Sequence, residues 1–281
     1  MLTDIEAGMD LNRFSNDLSY RGGAGVGLKF NSKDRLGGEI QYLYNYWNAP
    51  NYIDSTMKHS GVSPGWGRVT QMGDAFGFHQ ISGYLSFDAG KFFDIQIGNG
   101  KNFLGDGYRS LLLSDVANNY PYAKITTSVW HLKYVNLWTR QRNIYGVEQN
   151  PDAFEFKYTT THYLDWNISP RVNLALFESI VWQAQDTLLN RGFDINYLNP
   201  IIFYRPVEYQ QGSADNAIMG LNLSVNLGDK TKAYWQFMID EFLLSEIRAD
   251  TGWWANKYGT QIGIKSYDVI EGLDLQTEFS A

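Results

Sequence analysis

Three carboxylate pairs, one glycine-rich run and a few histidines are the residues from which this chain would build chemistry. Asp240 lies beside Glu241, Asp152 near Glu155, and Glu271 near Asp274. A glycosidase needs two carboxyl groups facing each other across a cleft, with their pKa values pushed apart. Neighbours in a strand point to opposite faces, so Asp240 and Glu241 cannot share a site in regular β structure. The other two pairs sit beside turns, where solvated charge is ordinary. No GxSxG elbow accompanies the serines and histidines. Four His and no Cys leave none of the common zinc spacings and no disulfide framework. The run "GNGKNFLG" at 98–105 lacks the Lys-Ser/Thr pair that opens a phosphate-binding helix, and does not fit the strand-turn-helix frame of a dinucleotide fingerprint. The expectation is a protein without enzymatic activity, cofactor or metal.

The elements that must position any remaining site are read from composition and periodicity. The 281 residues fit one large all-β domain. Nineteen Tyr, 16 Phe, 9 Trp and 27 Gly stand against 7 Pro; amphipathic aromatics suit both binding surfaces and the headgroup level of a bilayer. A net charge of -7 without any basic run argues against nucleic acid as a partner. No apolar run approaches the ~20 residues of a transmembrane helix, and the mean hydropathy is -0.34. Neither fact excludes a transmembrane β-barrel, where polar lumen positions alternate with lipid-facing ones. The opening "MLTDIEAGMDLN" has no basic or apolar leader region, so an export signal is expected to lie outside this sequence if the chain is not cytosolic.

Period-two patterning recurs along the chain. Ile40, Tyr42, Tyr44 and Tyr46 share one face of a strand, with Glu39, Gln41 and Asn45 on the other. The turn "NSKDR" joins it to Val26, Leu28 and Phe30, and "DAGK" joins Ile81, Leu85 and Phe87 to Phe93, Ile95 and Ile97. Met219, Leu221, Leu223, Val225 and Leu227 oppose Asn222, Ser224 and Asn226; Trp235, Phe237 and Ile239 oppose Gln236, Met238 and Asp240. Leu273, Leu275 and Phe279 oppose Asp274, Gln276 and Glu278. About twelve such strands are expected, each near the ~10 residues a tilted membrane strand needs.

The polar faces carry Asn, Gln, Ser and Asp rather than the Lys, Glu, Arg and Thr of a solvent-washed sandwich, which favours a wet lumen. Trp47, Trp130, Trp138, Trp166, Trp182 and Trp235 fall in or at the ends of strands, as girdle residues would; the alternative is that they fill a sandwich core. The fold class expected is all-β, an antiparallel transmembrane β-barrel. Three segments do not alternate: 48–77, 98–123 and 186–215. Long connections at one side of a barrel and tight turns at the other are the outer-membrane pattern, and function concentrates in the long ones.

In 98–123 the glycines would permit positive φ and close backbone approach, and "RSLLLSD" would fold inward with Leu111, Leu112 and Leu113 in a plug. Asp106, Arg109, Asp115 and Tyr120 are the candidate lumen or ligand contacts there. In 186–215 Pro200 would open a short helix and Pro206 interrupt one. Tyr197, Phe203, Tyr204, Arg205, Glu208 and Tyr209 supply aromatic planes and planar polar groups suited to a sugar, or else brace the loops.

The run "GKNFLGDGYRSLLLSDVANNYPYAKITT" resembles the signature of the capsule-assembly Wzi family, particularly its gliding-motility-associated branch in Bacteroidota. Gly105, Gly107, Ser110, Leu111, Leu112, Leu113, Ser114, Ala117 and Pro121 fit the pattern, and "FDINYLNPIIFYRPVEYQQGSADNA" at 193–217 and "GWWANKYGTQIGIK" at 252–265 also match that branch. The resemblance implies a single outer-membrane barrel domain over 1–281, part of a barrel of up to about 18 strands, truncated at both ends. It further implies a role without catalysis in attaching, exporting or organising surface polysaccharide, linked to gliding or adhesion, with surface polysaccharide, outer-membrane lipid and other outer-membrane proteins as partners. Two departures stand: "QTEFSA" lacks a terminal aromatic, and the tryptophan-rich form of the motif is missing. A structural subunit of a larger assembly and a soluble carbohydrate-active β-protein are the alternatives. A lumen open to solvent and lined by aromatics with Arg or carboxylates would favour the first reading; a packed lumen would favour the scaffold.

Overall fold

The computed structural model describes residues 2–11, 16–32, 35–144, 150–185, 192–202, 215–240 and 257–281. The strands in chain order are β1 (Leu2–Leu11), β2 (Asn16–Ser32), β3 (Leu36–Asn48), the short β4 (Val62–Ser63), β5 (Gly67–Arg68) and β6 (Thr70–Met72), then β7 (Ala75–Asp88), β8 (Phe93–Gly100), β9 (Tyr120–Val129), β10 (Leu132–Asn143), β11 (Glu155–Ser169), β12 (Val172–Gln183), β13 (Asn216–Asn226), β14 (Thr231–Asp240), β15 (Lys257–Ile270) and β16 (Leu273–Ser280). One 14-stranded sheet takes all but β4 and β5, with every long strand antiparallel to its sequence neighbour and β6 added beside β7. Among the described residues the sheet thus has thirteen long strands, in line with the about twelve expected. Among the described residues no pairing joins β1 to β16.

Alternation sets the two faces. Leu28, Ile40, Ile81, Ile97, Trp235, Ile262 and Phe279 all point outward and are 37–74% exposed. Alternate positions along the same and neighbouring strands point inward, and Asn45, Asn222, Ser224, Gln236 and Gln261 among them are buried. Apolar outside and polar inside is the inverse of a soluble core. Hydrogen bonds from the 101–119 connection, which joins β8 to β9, reach Glu278 on β16. A segment leaving the middle of the sheet can touch its far edge on the inner face only if the sheet curls around it. The wall is therefore that of a barrel.

Six connections at one end are two to four residues long: 33–35, 89–92, 130–131, 170–171, 227–230 and 271–272. At the other end five of six are long: 49–74, 101–119, 144–154, 184–215 and 241–256. The sequence revealed three of these. The missed 144–154 is short enough to read as a turn, and the aromatic-rich 241–256 resembles the strands beside it. The loss of alternation at 98–123 also narrows, since 98–100 and 120–123 belong to β8 and β9.

The first long connection holds a helix that the all-β reading omitted, α1 (Asn51–Ser60). Pro50 precedes it, Asp54 and Lys58 pair one turn apart at 2.7 Å, and Gly61 ends it at φ 68°. Met57 packs against Trp47, Phe76 and Phe78 on the inner face. Trp47 is thus interior rather than a girdle residue. Trp138 and Trp182 also leave the girdle, because a later segment covers them. Trp130, Trp166 and Trp235 are exposed as a girdle requires, the first two at the short-turn end.

Candidate functional site

The interior site is built by the 101–119 connection. Leu112 is buried among Val135, Leu137, Tyr163, Ala175 and Phe177, all inward positions of β10 to β12, while Leu104 and Leu113 pack beside it. Leu104 N–H donates to the Leu113 carbonyl at 3.0 Å, which closes the connection into a compact loop. Leu111 and Leu113 are only half-buried.

Polar side chains on the opposite wall hold this loop. Gln236 Oε1 accepts from Leu111 N–H at 2.9 Å, and Gln261 Nε2 donates to the Arg109 carbonyl at 3.1 Å. Glu278 Oε1 accepts from Tyr108 N–H at 2.6 Å. Asn222 accepts from Asp106 N–H and donates to its carboxylate, which also pairs with Lys232. Gly105 (φ 111°) and Gly107 lie so close to Gln236 and Gln261 that a Cβ on either would collide with those amides. Burial works to raise the Asp106 carboxyl; the hydrogen bonds from Lys232 and Asn222 outweigh it and hold it below the usual carboxylate range.

The loop divides the interior. Toward the short-turn end a cavity of about 300 Å³ is lined by Asp106, Lys133, Asp165, Arg171, Asn173 and Lys232. Toward the long-connection end, Lys101 lies within electrostatic reach of Asp115 and Arg109 and 5.9 Å from the Trp66 ring, which also stacks under Arg21 at 4.4 Å. Partial burial lowers the Lys101 ammonium below its usual range; Asp115 opposes this and Arg109 adds to it. Arg109 and Asp115 are exposed.

The sequence-derived candidates separate accordingly. Asp106 lies in the lumen, lines the cavity toward the short-turn end and is paired with Lys232 and Asn222. Arg109 and Asp115 both lie within electrostatic reach of Lys101. Tyr120 is buried, its hydroxyl accepting from Asn102 N–H at 3.1 Å. Among the motif residues, Ser110 bonds Gln236, Ser114 is half-buried, and Ala117 and Pro121 are exposed near the rim.

Tyr197 does not join the lumen. It ends up on the outer face, fully buried, its carbonyl accepting from Trp138 Nε1 at 2.9 Å and Thr160 Oγ1 at 3.1 Å, its hydroxyl donating to Asp215 at 2.6 Å. Trp138 and Thr160 have the parity opposite to Leu137 and Thr161, so the wall stands between Tyr197 and Leu112. Asn136, His162 and Glu178, on the same outward parity, are buried too, as polar side chains that would be costly against lipid require, and the Tyr134 hydroxyl meets both His162 Nδ1 and the Pro200 carbonyl. A short 3-10 helix at Ile195–Leu198 ends before Pro200 instead of starting there. Phe203, Tyr204, Arg205, Pro206, Glu208 and Tyr209 lie outside the described residues.

Sequence reasoning missed the latch partners Asn222, Lys232, Gln236, Gln261 and Glu278. Their common signal was a polar residue on the inward parity of successive strands. It also missed Lys133, Asp165 and Arg171, which only the strand register brings together.

An exposed apolar band outside a filled interior that buries many polar side chains beside two apolar clusters, with long connections confined to one end, is the organisation of an outer-membrane barrel. The chain is an outer-membrane β-barrel protein. No protein-family model matches it, and no curated protein does. Solved structures with similar chain courses include a mutant of Rh. blastica porin, at 8% identity and TM-score 0.38 over 99% of this chain and 90% of that one. The siderophore receptor PirA from Acinetobacter baumannii matches at 14% identity and TM-score 0.40, over 99% of this chain and 42% of the receptor. The ferric enterobactin receptor PfeA matches at 11% identity and TM-score 0.39, over 99% and 44%. The chain spans less than half of either receptor. Scores of 0.38–0.40 add nothing to what the wall itself argues.

Proposed function

We propose that this barrel works without catalysis at the cell surface, holding or organising surface polysaccharide in the manner of the Wzi-like proteins that its motif from Gly105 to Pro121 resembles. The observation that carries the reading is the long-connection side of the interior loop, where Lys101 lies 5.9 Å from the Trp66 ring and within electrostatic reach of Arg109 and Asp115. Aromatic faces with cations and carboxylates suit a glycan, by stacking and charge-assisted hydrogen bonds. The packed interior also supports the scaffold reading, in which the long connections bind another outer-membrane protein. Linkage to gliding or adhesion belongs to the same resemblance.

Glycan-array and capsule-extract binding to the folded protein in detergent separates the two. Wild type should bind an acidic or neutral surface glycan, and Lys101→Ala with Arg109→Ala should weaken this at least tenfold without unfolding the barrel. A folded wild type that binds no glycan would leave the scaffold reading.

A further inference from the structure

Arg140 and Arg142 occupy alternate positions of β10 on the outer face, next to the long-connection rim. Both are exposed, and both stack on the Phe156 ring of the neighbouring strand, at 4.7 and 4.3 Å. Arg142 Nη1 also donates to the Phe154 carbonyl at 3.0 Å. Among the described residues no carboxylate pairs with either; the nearby Asp152 is taken by Arg68 at 3.0 Å. Two fixed guanidinium groups at the edge of a lipid-facing wall call for an anion.

Directly beneath them the outer wall is hollowed. A groove of about 820 Å³ runs over β3, β7, β8 and β9 to β10 and β11, floored by Gly83 and Ala123, walled by Ile81 and Ile97, and closed at one side by Phe193 of the overlying segment. Small residues at Gly83 and Ala123 lower the floor between larger outward neighbours. Above it a rim cavity of about 370 Å³ holds Arg142, Phe156, Asn118 and Asn119. Groove and rim cavity share Arg140 and Pro121, so apolar and cationic parts form one continuous surface.

We propose that this surface is a binding site for a phosphate-bearing lipid, with an acyl chain in the groove and the phosphate on the forks of Arg140 and Arg142. The charge fixes the headgroup class, because guanidinium groups match phosphate oxygens in two-point contacts. The groove fixes the source, because a soluble phosphate would not use an apolar channel that opens onto the bilayer side of the wall. The site rests on the outer face meeting lipid.

The test is lipid retention on the full-length protein, folded into vesicles, re-extracted, and challenged with phosphatidylglycerol or diacylglycerol, using native mass spectrometry as the readout. Phosphatidylglycerol should be retained at least tenfold better than diacylglycerol. R140Q with R142Q should abolish that preference, and Ala123→Trp, which fills the groove but leaves both arginines, should lower phosphatidylglycerol retention to a similar degree. Millimolar inorganic phosphate should not displace the lipid. Equal retention of the two lipids, or wild-type retention by R140Q/R142Q, would overturn the site. Displacement by inorganic phosphate together with no effect of Ala123→Trp would show a soluble-anion site and overturn the lipid assignment. Failure of wild type to insert into vesicles would instead contradict the membrane-wall reading.

Discussion

Asp106 shows how one charge is made structural. Its carboxylate meets Lys232 and Asn222 inside the barrel, and these contacts depress its pKa despite burial. A carboxylate with a lower pKa folded than unfolded contributes stability that is present above the unfolded value. That contribution is lost as pH falls through the folded value. The latch should therefore be intact at neutral pH, start to weaken only as pH falls below the unfolded carboxylate value of about 4, and release as pH passes the lower folded value. Hydrogen-exchange protection of residues 105–112 should show an acid step in wild type that Asp106→Asn lacks. At pH 7 the variant should loosen the loop by about 1–2 kcal/mol, a figure kept low because Lys232 remains partly solvated. An acid step that Asp106→Asn shows as fully as wild type would mean that Asp106 does not hold the loop.

The 101–119 connection depends on one apolar anchor and several polar ties. Leu112→Ala should cost about 2–5 kcal/mol of loop docking, read as faster exchange at the Leu104 and Leu111 amides while the wall amides of β10 to β14 stay protected. Uniform loss of protection would place Leu112 in the wall's stability instead. Much of this element was legible beforehand. The break in alternation located it, the Leu run marked its buried part, and Gly105 and Gly107 marked the close approaches. What held it was not legible, because Gln236, Gln261 and Glu278 are more than a hundred residues away and become partners only through the register of β13 to β16. The 184–215 connection shows the opposite limit. Its aromatics suggested a sugar site or a plug, but their types do not say which face of the wall they cover. Tyr197 lies outside, over Trp138 and Thr160. Likewise α1 was hidden because ten residues with few apolar positions carry little helical periodicity.

At the scale of the whole molecule, the wall was the best-read feature, since outward and inward residues alternate strand after strand and a one-residue slip would reverse every face. The count was legible too: among the described residues thirteen long strands form one antiparallel path where about twelve were expected. The central claim is that lipid surrounds this wall and the 101–119 loop closes its interior. Planar-bilayer conductance tests it most directly, comparing the full-length protein with a variant whose residues 103–117 are replaced by a short Gly-Ser turn. The account predicts that wild type inserts but passes little current, and that the loop-replaced protein opens a stable conductance at least several-fold larger. Equal, large conductance in both would contradict it, because the loop would then not be what fills the barrel.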